Sequence, residues 1–197
     1  MAVKPILMYL SHGHRQDGDP GAVSGKFVEA DINLKYITAC YKELFALRKK
    51  YGYDYKIAYP EKKGNGMHLW EHVADIRRYR KRYRVVAIDG HMNAGGGQGA
   101  EVIINPNDKY EKYLAECVLG ELHKAGFKYH AWDGRRATAI HKDGSFTFLT
   151  AGGVNMILEP GFVDNKTDRK RFGADKEIET MGKAVARGMV QYYKKYK

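Results

Sequence analysis

The chain has few of the residues that lock small domains together or anchor them in membranes. Only two of its 197 residues are cysteines, Cys40 and Cys117, and they form no CxxC pair. Both thiols fall within helical patterns, where we expect an apolar core role in preference to a disulfide or a metal ligand. No apolar run reaches the ~18 residues of a membrane span, so membrane insertion is not expected.

The start of the chain also lacks a targeting signal. Met1 to Pro5 lead directly into an apolar strand, without the basic and apolar regions of a signal peptide. We therefore expect synthesis in the cytoplasm, with any export depending on other factors.

Acidic residues are in the minority: 23 Asp and Glu against 34 Lys and Arg give a formal charge of +11. A basic protein is attracted to polyanions, such as nucleic acid or an anionic cell-wall polymer. Much of the excess lies in residues 77–84 and 192–197, where arginine and lysine alternate with tyrosine. The first stretch is typical of either a nucleic-acid stripe or a solvated helix end. No RNP, zinc-finger or helix-turn-helix signature is present, so no nucleic-acid partner is expected.

Length and hydrophobic content, 197 residues and 44%, are enough for one core, and we predict a single domain over residues 1–197. Short apolar runs alternate with helical periodicity, which predicts an α/β fold with a mainly parallel twisted sheet and helices on both faces. The predicted strands are residues 6–10, 55–59, 85–88, 101–104 and 155–158. The predicted helices are residues 30–51, 68–83, 110–126 and 175–193. Residues 17–26 are predicted as a loop, and residues 135–149 as a hairpin around Asp143 and Gly144.

Three of the predicted strands run directly into polar residues. The first leads to His12 and His14, the third to His91 and the glycine-rich residues 95–99, and the last to Glu159. Sites in open α/β sheets form at the carboxyl ends of strands, and His, His and Glu together are typical of a metal-assisted hydrolase.

A catalytic zinc needs three protein ligands, and a carboxylate would complete the set that His14 and His91 begin. Glu29, predicted just before the first helix, is suitably placed for this role. Glu159 could then serve as a general base. Spacing alone is weak evidence, because no local motif such as HExxH links these residues. The remaining histidines, His68, His123, His130 and His141, are expected on the surface or behind the site.

Four blocks of the sequence resemble, in order, the zinc-dependent N-acetylmuramoyl-L-alanine amidases of the Amidase_3 type. The blocks are Gly13 and His14 with residues 19–22, residues 29–34, residues 91–94 with residues 99–101, and residues 159–162. The resemblance spans nearly the whole chain from Ile6 to the last helix. That family includes bacterial cell-wall amidases and phage endolysins.

The resemblance implies that His14, Glu29 and His91 hold one zinc ion and that Glu159 is the catalytic carboxylate. It further implies hydrolysis of the amide between N-acetylmuramic acid and L-alanine, with peptidoglycan as partner. The glycines of residues 95–99 are expected to let a stem peptide or glycan approach the backbone.

The chain departs from the family pattern at three places. His14 lies five residues before Asp19 where the family usually has four, so His12 competes as first ligand, and we favour His14 because it follows Gly13. His72 stands where the family often has arginine. The helical insert that blocks regulated cell-division amidases has no counterpart, so an open groove is expected.

Two alternative functions remain at this stage. A zinc amidohydrolase acting on another small amide would have a small closed pocket, and a non-catalytic wall-binding module would have a decayed site. Arg135 and Arg136 could contact a substrate carboxylate, although solvated loop charges are the commoner case. We expect a monomer that reaches the wall after release from the cytoplasm, through a holin or by lysis. Anionic wall polymers are a candidate second partner, which the positive charge of the protein would attract.

Overall fold

A computed structural model of the chain describes residues 3–130 and 139–197. The strands are β1 (Ile6–His12), β2 (Val23–Ser24), β3 (Phe27–Val28), β4 (Lys56–Ala58), β5 (Arg84–Gly90), β6 (Glu101–Ile104), β7 (Ile140–Lys142) and β8 (Val154–Glu159). The helices are α1 (Glu29–Tyr51), α2 (Leu69–Arg80), α3 (Lys109–Lys124), α4 (Arg169–Phe172) and α5 (Asp175–Tyr196).

Six strands form one sheet in the order β4-β1-β5-β8-β6-β7. Strands β4, β1, β5 and β8 are parallel, whereas β6 runs antiparallel to β8 and β7 runs parallel to β6. The α/β architecture and the mainly parallel sheet are thus confirmed. Because β1, β5 and β8 are neighbours, their carboxyl ends meet at one edge of the sheet.

Helices cover both faces of the sheet, as the nearly continuous burial along β1 and β5 requires. In β1, Met8 and Leu10 face the core formed with α1, α3 and α5. Leu7 and Tyr9 face the opposite layer, where α2 and a 3₁₀ turn (Thr147–Ala151) supply Val73, Ile76 and Phe148. Cys40 and Cys117 are both buried free thiols, as predicted.

Helix α1 follows directly from its sequence. Apolar residues spaced at three and four positions, among them Ile37, Cys40 and Leu44, form its buried stripe. It ends where Gly52 adopts a left-handed conformation with φ of 65°. Its first residue is Glu29, one position earlier than predicted, so this carboxylate points from the helix start toward the edge at which β1, β5 and β8 end.

Two predictions about the loops are wrong. Within residues 139–149 there is no hairpin: β7 pairs in parallel with β6, and a turn around Asp143 leads to the 3₁₀ turn. The Asp-Gly pair signalled a turn correctly, but the apolar residues after it pack against α2 instead of returning along β7. The predicted loop at residues 17–26 contains β2, which pairs with β3 in a short antiparallel ribbon. The remainder of the predicted hairpin, including Arg135 and Arg136, lies outside the described residues.

Every helix in residues 3–130 and 139–197 is too short or too polar to cross a bilayer.

Candidate metal centre

The ends of three parallel strands and the start of one helix build the candidate site. The amide of Gly13, directly after β1, donates to the carbonyl of Gly90 at 2.7 Å, and the amide of His91 donates to Leu158 at 2.9 Å. These bonds hold the chain segments after β1 and β5 in register with β8. A Cβ atom at Gly13 would lie 2.1 Å from the His91 ring, so only glycine lets the two segments approach this closely.

His14, Glu29 and His91 converge on one point. Oε1 of Glu29 lies 3.1 Å from Nε2 of His14 and 3.1 Å from Nδ1 of His91. One ligand atom from each residue lies within 4.8 Å of the others. The His14 and His91 side chains are 24% and 23% exposed, so the cluster opens to solvent, while Glu29 lies beneath them at 5%.

The loop that carries His14 has an unusual backbone. His14 and Arg15 both have φ of 72°, in the left-handed region that non-glycine residues seldom adopt. Two such residues in succession cost about 1–2 kcal/mol each. The loop is held by Arg15, whose side chain donates to Asp31 at 2.7 Å and to the Gly64 carbonyl at 3.1 Å. The conformation turns the His14 ring toward Glu29.

Further carboxylates and backbone amides fix the orientation of the three side chains. Nδ1 of His14 contacts Asp19 at 2.7 Å, and Nε2 of His91 contacts Asp89 at 3.3 Å. Oε2 of Glu29 accepts from the Ala22 amide at 2.8 Å. Each histidine therefore has one nitrogen held by a carboxylate and the other directed at Glu29.

The electrostatics follow from this arrangement. Although burial raises the pKa of Glu29, hydrogen bonds from His14 and His91 hold that pKa well below its ordinary value. The hydrogen bond to Glu29 raises the pKa of His14. Burial lowers the pKa of His91, but the charge of Asp89 and hydrogen bonds to Asp89 and Glu29 hold it well above its ordinary value. Both histidines therefore favour their protonated forms beside the anionic Glu29 in the protein alone.

This donor set fits zinc. Two imidazoles and one carboxylate are ligands zinc prefers, and atoms bound at about 2.0–2.1 Å in a tetrahedron lie about 3.3 Å apart. The two separations of 3.1 Å are close to that value. Carboxylates on the far nitrogens, here Asp19 and Asp89, are the usual outer partners of metal-binding histidines. The three residues could therefore hold a zinc ion and leave a fourth position open.

Glu159, the last residue of β8, lines the same cleft as His14 and His91. Its Oε2 atom is buried and has no hydrogen-bond partner among the described residues. Burial, as the largest cause, raises the pKa of Glu159 to about 7, with the negative charge of Glu29 contributing. A carboxyl group with such a pKa can exchange protons near neutral pH.

His12, the alternative first ligand, lies apart from the cluster. It is 1% exposed and its ring packs edge-on against Tyr59, with ring centres 5.9 Å apart. Neither ring nitrogen has a hydrogen-bond partner in the described part of the chain. The structure thus groups His14, and not His12, with Glu29 and His91.

Sequence reasoning missed a buried polar network behind the site. Ser11 donates to Asp89 at 2.6 Å and contacts Nε2 of His72 at 3.2 Å. The same nitrogen lies 3.3 Å from Glu61, while Tyr9 contacts the other nitrogen of His72 at 2.8 Å. The one available signal was polar residues inside buried strands, namely Ser11 in β1 and Asp89 in β5.

The glycine-rich segment after His91 is held from within the protein. The amides of Gly95 and Gly96 donate to Asp164 at 2.9 and 2.8 Å, and Gly97 packs against the Phe162 ring. Gly95 and Gly96 are exposed, so a ligand can approach the backbone at this part of the segment.

The other histidines lie as expected on the surface or behind the site. His68, His123 and His141 are exposed. His130 is buried, with Nδ1 donating to the Gln98 carbonyl at 2.9 Å and Nε2 3.9 Å from Glu101.

Comparisons with known proteins agree with this architecture. A family model described as N-acetylmuramoyl-L-alanine amidase, Amidase_3, matches residues 8–191. A search of curated protein sequences found no match.

Several solved structures are similar over their full length. The N-acetylmuramoyl-L-alanine amidase from Clostridium difficile 630 superposes with a TM-score of 0.78 at 17% identity, covering 98% of this chain and 100% of that one. AmiC2 of Nostoc punctiforme gives 0.76 at 19% identity, covering 98% and 99%. The catalytic domain of CwlV from Bacillus (Paenibacillus) polymyxa gives 0.72 at 17% identity, covering 95% and 97%. These likenesses show a shared fold, and since the family model spans nearly all of the sequence, the chain belongs to the Amidase_3 family of N-acetylmuramoyl-L-alanine amidases.

Proposed function

We propose that this protein is a zinc-dependent hydrolase of the amide bond between N-acetylmuramic acid and L-alanine in peptidoglycan. The observation that carries the proposal is the convergence of His14, Glu29 and His91 beside the unpartnered carboxylate of Glu159. Membership of an amidase family supplies the bond type and the substrate class.

His14, Glu29 and His91 would hold the zinc ion, with Asp19 and Asp89 orienting the two imidazoles. Zinc bound there would lower the pKa of a water molecule toward ~7 and polarise the scissile carbonyl. Glu29, buried and anionic, would offset part of the ion's charge.

Glu159 is assigned the proton transfers. Its carboxylate accepts a proton from the attacking water and then delivers it to the departing amine of L-alanine. Burial raises the pKa of Glu159 to about 7 in the protein alone. This value suits both steps, because the carboxyl group can gain or lose a proton near neutral pH at little cost in free energy.

The cleft at the site has a volume of about 270 Å³ and is open on one side. Its rim includes Leu69 and Phe146, which are 42% and 40% exposed. Exposed apolar side chains beside a catalytic cleft favour a chain-like substrate that continues along the surface over a small amide enclosed in a pocket. This supports a peptidoglycan strand as substrate. We further propose that the protein acts as a monomer and reaches the bacterial wall after its release from the cytoplasm.

Mass spectrometry of digested peptidoglycan tests the bond that is cut. We expect glycan strands with free muramic lactyl carboxylates together with stem peptides that begin at L-alanine. Products cut between sugars or within the stem peptide would contradict the proposal. A chelator should abolish the activity and added zinc should restore it, with about one zinc per chain.

Replacing Glu159 separates chemistry from metal binding. Glu159→Gln should keep zinc and fold but lower turnover by ~10²-fold or more, as loss of a general base predicts. His12→Ala, which removes a buried imidazole outside the cluster, should keep its zinc and serves as the control. A Glu159→Gln enzyme with near-normal turnover, or one that has lost zinc, would show that Glu159 has another role.

A further inference from the structure

Basic residues collect at the edge of the sheet opposite the candidate metal centre. Helices α1, α2 and α5 start near the site and end at the edge where the parallel strands begin, each with basic residues in its last turn. We define the basic face as residues 48–56, 77–84 and 192–197. These segments hold 13 Lys and Arg and a single acid, Asp54, a formal charge of +12. The whole chain carries +11, so all the remaining residues together carry −1.

The three segments form one continuous surface. Lys4, before β1, donates through Nζ to the Arg80 carbonyl at 3.0 Å. Arg84, at the start of β5, donates to the carbonyls of Lys4 at 2.9 Å and Tyr196 at 2.6 Å. These bonds tie the ends of α2 and α5 together across the strand starts. At the end of α1, Tyr53 packs on Tyr193 of α5, with ring centres 5.2 Å apart.

The charges on this face are not balanced by neighbouring acids. Elsewhere on the surface, lysines pair with glutamates along helices, as in Lys112 with Glu116 and Lys183 with Glu179. Within the described residues, the basic face has one ion pair to an acid, Arg78 with Asp75 at 2.8 Å. A merely solvated helix end would show such pairs frequently, so this excess of free positive charge favours an anionic ligand.

Tyrosines give the face a second property. Lys50 and Lys194 lie over the rings of Tyr51 and Tyr53, at 5.1 and 5.9 Å from the ring centres. Tyr51 is 53% exposed. Flat aromatic surfaces beside ammonium groups suit a ligand in which phosphate charges alternate with apolar or sugar-like units.

We propose that the basic face binds a phosphate-bearing anionic polymer of the bacterial cell wall. This rests on the proposed function only in placing the protein at the wall. Because the face lies opposite His14, Glu29 and His91, the polymer would retain the enzyme at the wall while the catalytic edge stays free to engage peptidoglycan. Attachment and hydrolysis are therefore separable.

The first test is sedimentation of the full chain with two wall preparations. One is intact Gram-positive wall, and the other is the same wall stripped of phosphate polymers by acid. We expect at least tenfold weaker binding to the stripped wall, and steep weakening on intact wall between low salt and several hundred millimolar salt. Equal, salt-independent binding to both preparations would overturn the proposal, as would tighter binding to single-stranded DNA than to intact wall at the same salt.

A pair of charge-matched variants tests the location of the binding surface. The first converts five exposed residues of the face to glutamine: Lys49, Lys50, Arg77, Lys81 and Arg82. The control converts five exposed lysines elsewhere: Lys62, Lys63, Lys166, Lys170 and Lys176. Both variants have the same net charge. We expect at least tenfold weaker wall binding for the first and no more than twofold for the control, and equal losses would show that overall charge, and not this face, governs binding.

Cleavage of a small soluble muropeptide separates this proposal from the proposed function. Both variants should cleave it at the wild-type rate, since no altered residue lies in the candidate metal centre. If the wild-type protein binds intact wall as expected but cleaves no muropeptide, the proposed function fails and the binding face stands. If the wild-type protein cleaves muropeptide but the variant of the basic face binds wall normally, the proposed binding face fails and the proposed function stands.

Discussion

His14 lies between two carboxylates, and each of its ring nitrogens has a different partner. Nε2 faces Glu29 within the candidate metal centre, whereas Nδ1 lies 2.7 Å from Asp19. A carboxylate on the far nitrogen fixes the tautomer and makes the other nitrogen a better ligand. Asp19 is therefore the residue outside the three ligands on which zinc affinity should depend most directly.

Asp19→Asn should weaken zinc binding by about tenfold or more, because the amide keeps the shape of the side chain but removes its charge. Competition with a chromophoric chelator measures the change. Asp17→Asn is the matched control, since Asp17 lies in the same loop with its side chain 82% exposed, and it should stay within about twofold of the wild type. An Asp19→Asn protein with unchanged zinc affinity would mean that Asp19 only shapes the loop.

His72 is a buried histidine that is stabilised by the neighbouring carboxylate of Glu61. Its side chain is 3% exposed, with Glu61 3.3 Å away. Burial lowers the pKa of His72, but the hydrogen bond and charge of Glu61 outweigh it, and the pKa is raised overall. A raised pKa stabilises the folded protein below the unfolded value of about 6.5, and that stabilisation is lost as pH rises through the folded value.

His72→Gln should therefore lower the free energy of unfolding of the zinc-free protein most at pH 6, because Glu61 loses its cationic partner and keeps only the amides of His12 and Met67. Those two hydrogen bonds should hold the loss below the cost of an uncompensated buried charge, about 3–5 kcal/mol. The difference from the wild type should shrink as pH rises toward 9. Urea denaturation across this range measures it, with the exposed His123→Gln as control. A difference that grows with pH would show that His72 is neutral in the folded protein.

At the scale of elements, packing of α5 on α1 supports the site from behind. A Cβ atom at Gly182 of α5 would lie 2.3 Å from the Tyr36 carbonyl and 2.6 Å from the Ala39 side chain. Tyr36 in turn donates through its hydroxyl to the His91 carbonyl at 3.2 Å. Tyr36 therefore links the contact between α1 and α5 to the backbone of His91, a candidate metal ligand.

Gly182→Ala should destabilise the protein by about 1–3 kcal/mol, because the added methyl forces α5 away from α1. Gly120→Ala in α3 is the matched control: nothing lies within 4 Å of its added Cβ, so better helix propensity should stabilise by up to about 1 kcal/mol. Chemical denaturation compares the two. Similar effects of both substitutions would show that α5 can shift away from α1 to accommodate the methyl group at little cost in stability.

Periodicity and apolar runs predicted those strands and helices that a short stretch of sequence is sufficient to identify. The strands before His14, His91 and Glu159 were predicted because buried parallel strands are continuous apolar runs. The length of α1 was predicted because its apolar stripe ends at a glycine. The directions of β6 and β7 could not be predicted in this way. β6 is antiparallel to β8 because residues 91–100 turn the chain back after β5 without a helix, and β7 is parallel to β6 because α3 returns the chain; no short stretch of sequence encodes either outcome.

In the candidate site, too, the sequence predicted some features and missed others. Strand ends and family blocks brought His14, Glu29, His91 and Glu159 to attention, and the structure places all four around one cleft or beneath it. Contacts such as Asp89 with Ser11, or His72 with Glu61, join residues tens of positions apart. Such pairs depend on how layers pack, so a single sequence carries little trace of them.

At the scale of the whole molecule, the candidate metal centre joins segments that are distant in sequence. His14 follows β1, Glu29 begins α1, and His91 follows β5, so unfolding any of these elements separates the three ligand atoms. In a single cooperative domain, zinc bound at this point should stabilise the entire fold, because an ion that binds only the folded state shifts the unfolding equilibrium.

Zinc at 100 times its dissociation constant should stabilise the protein by about 2.7 kcal/mol, which for a domain of this size raises Tm by roughly 5–11 °C. Calorimetry of zinc-free and zinc-loaded protein measures the shift. His91→Ala should lose it, because two ligands remain and the third is gone, whereas Glu159→Gln should keep it, because Glu159 is assigned to proton transfer and not to the metal. If His91→Ala retained the full shift, zinc would be stabilising the fold from another position, and the convergence of His14, Glu29 and His91 would have to be explained by the contacts of the two histidines with Glu29 alone.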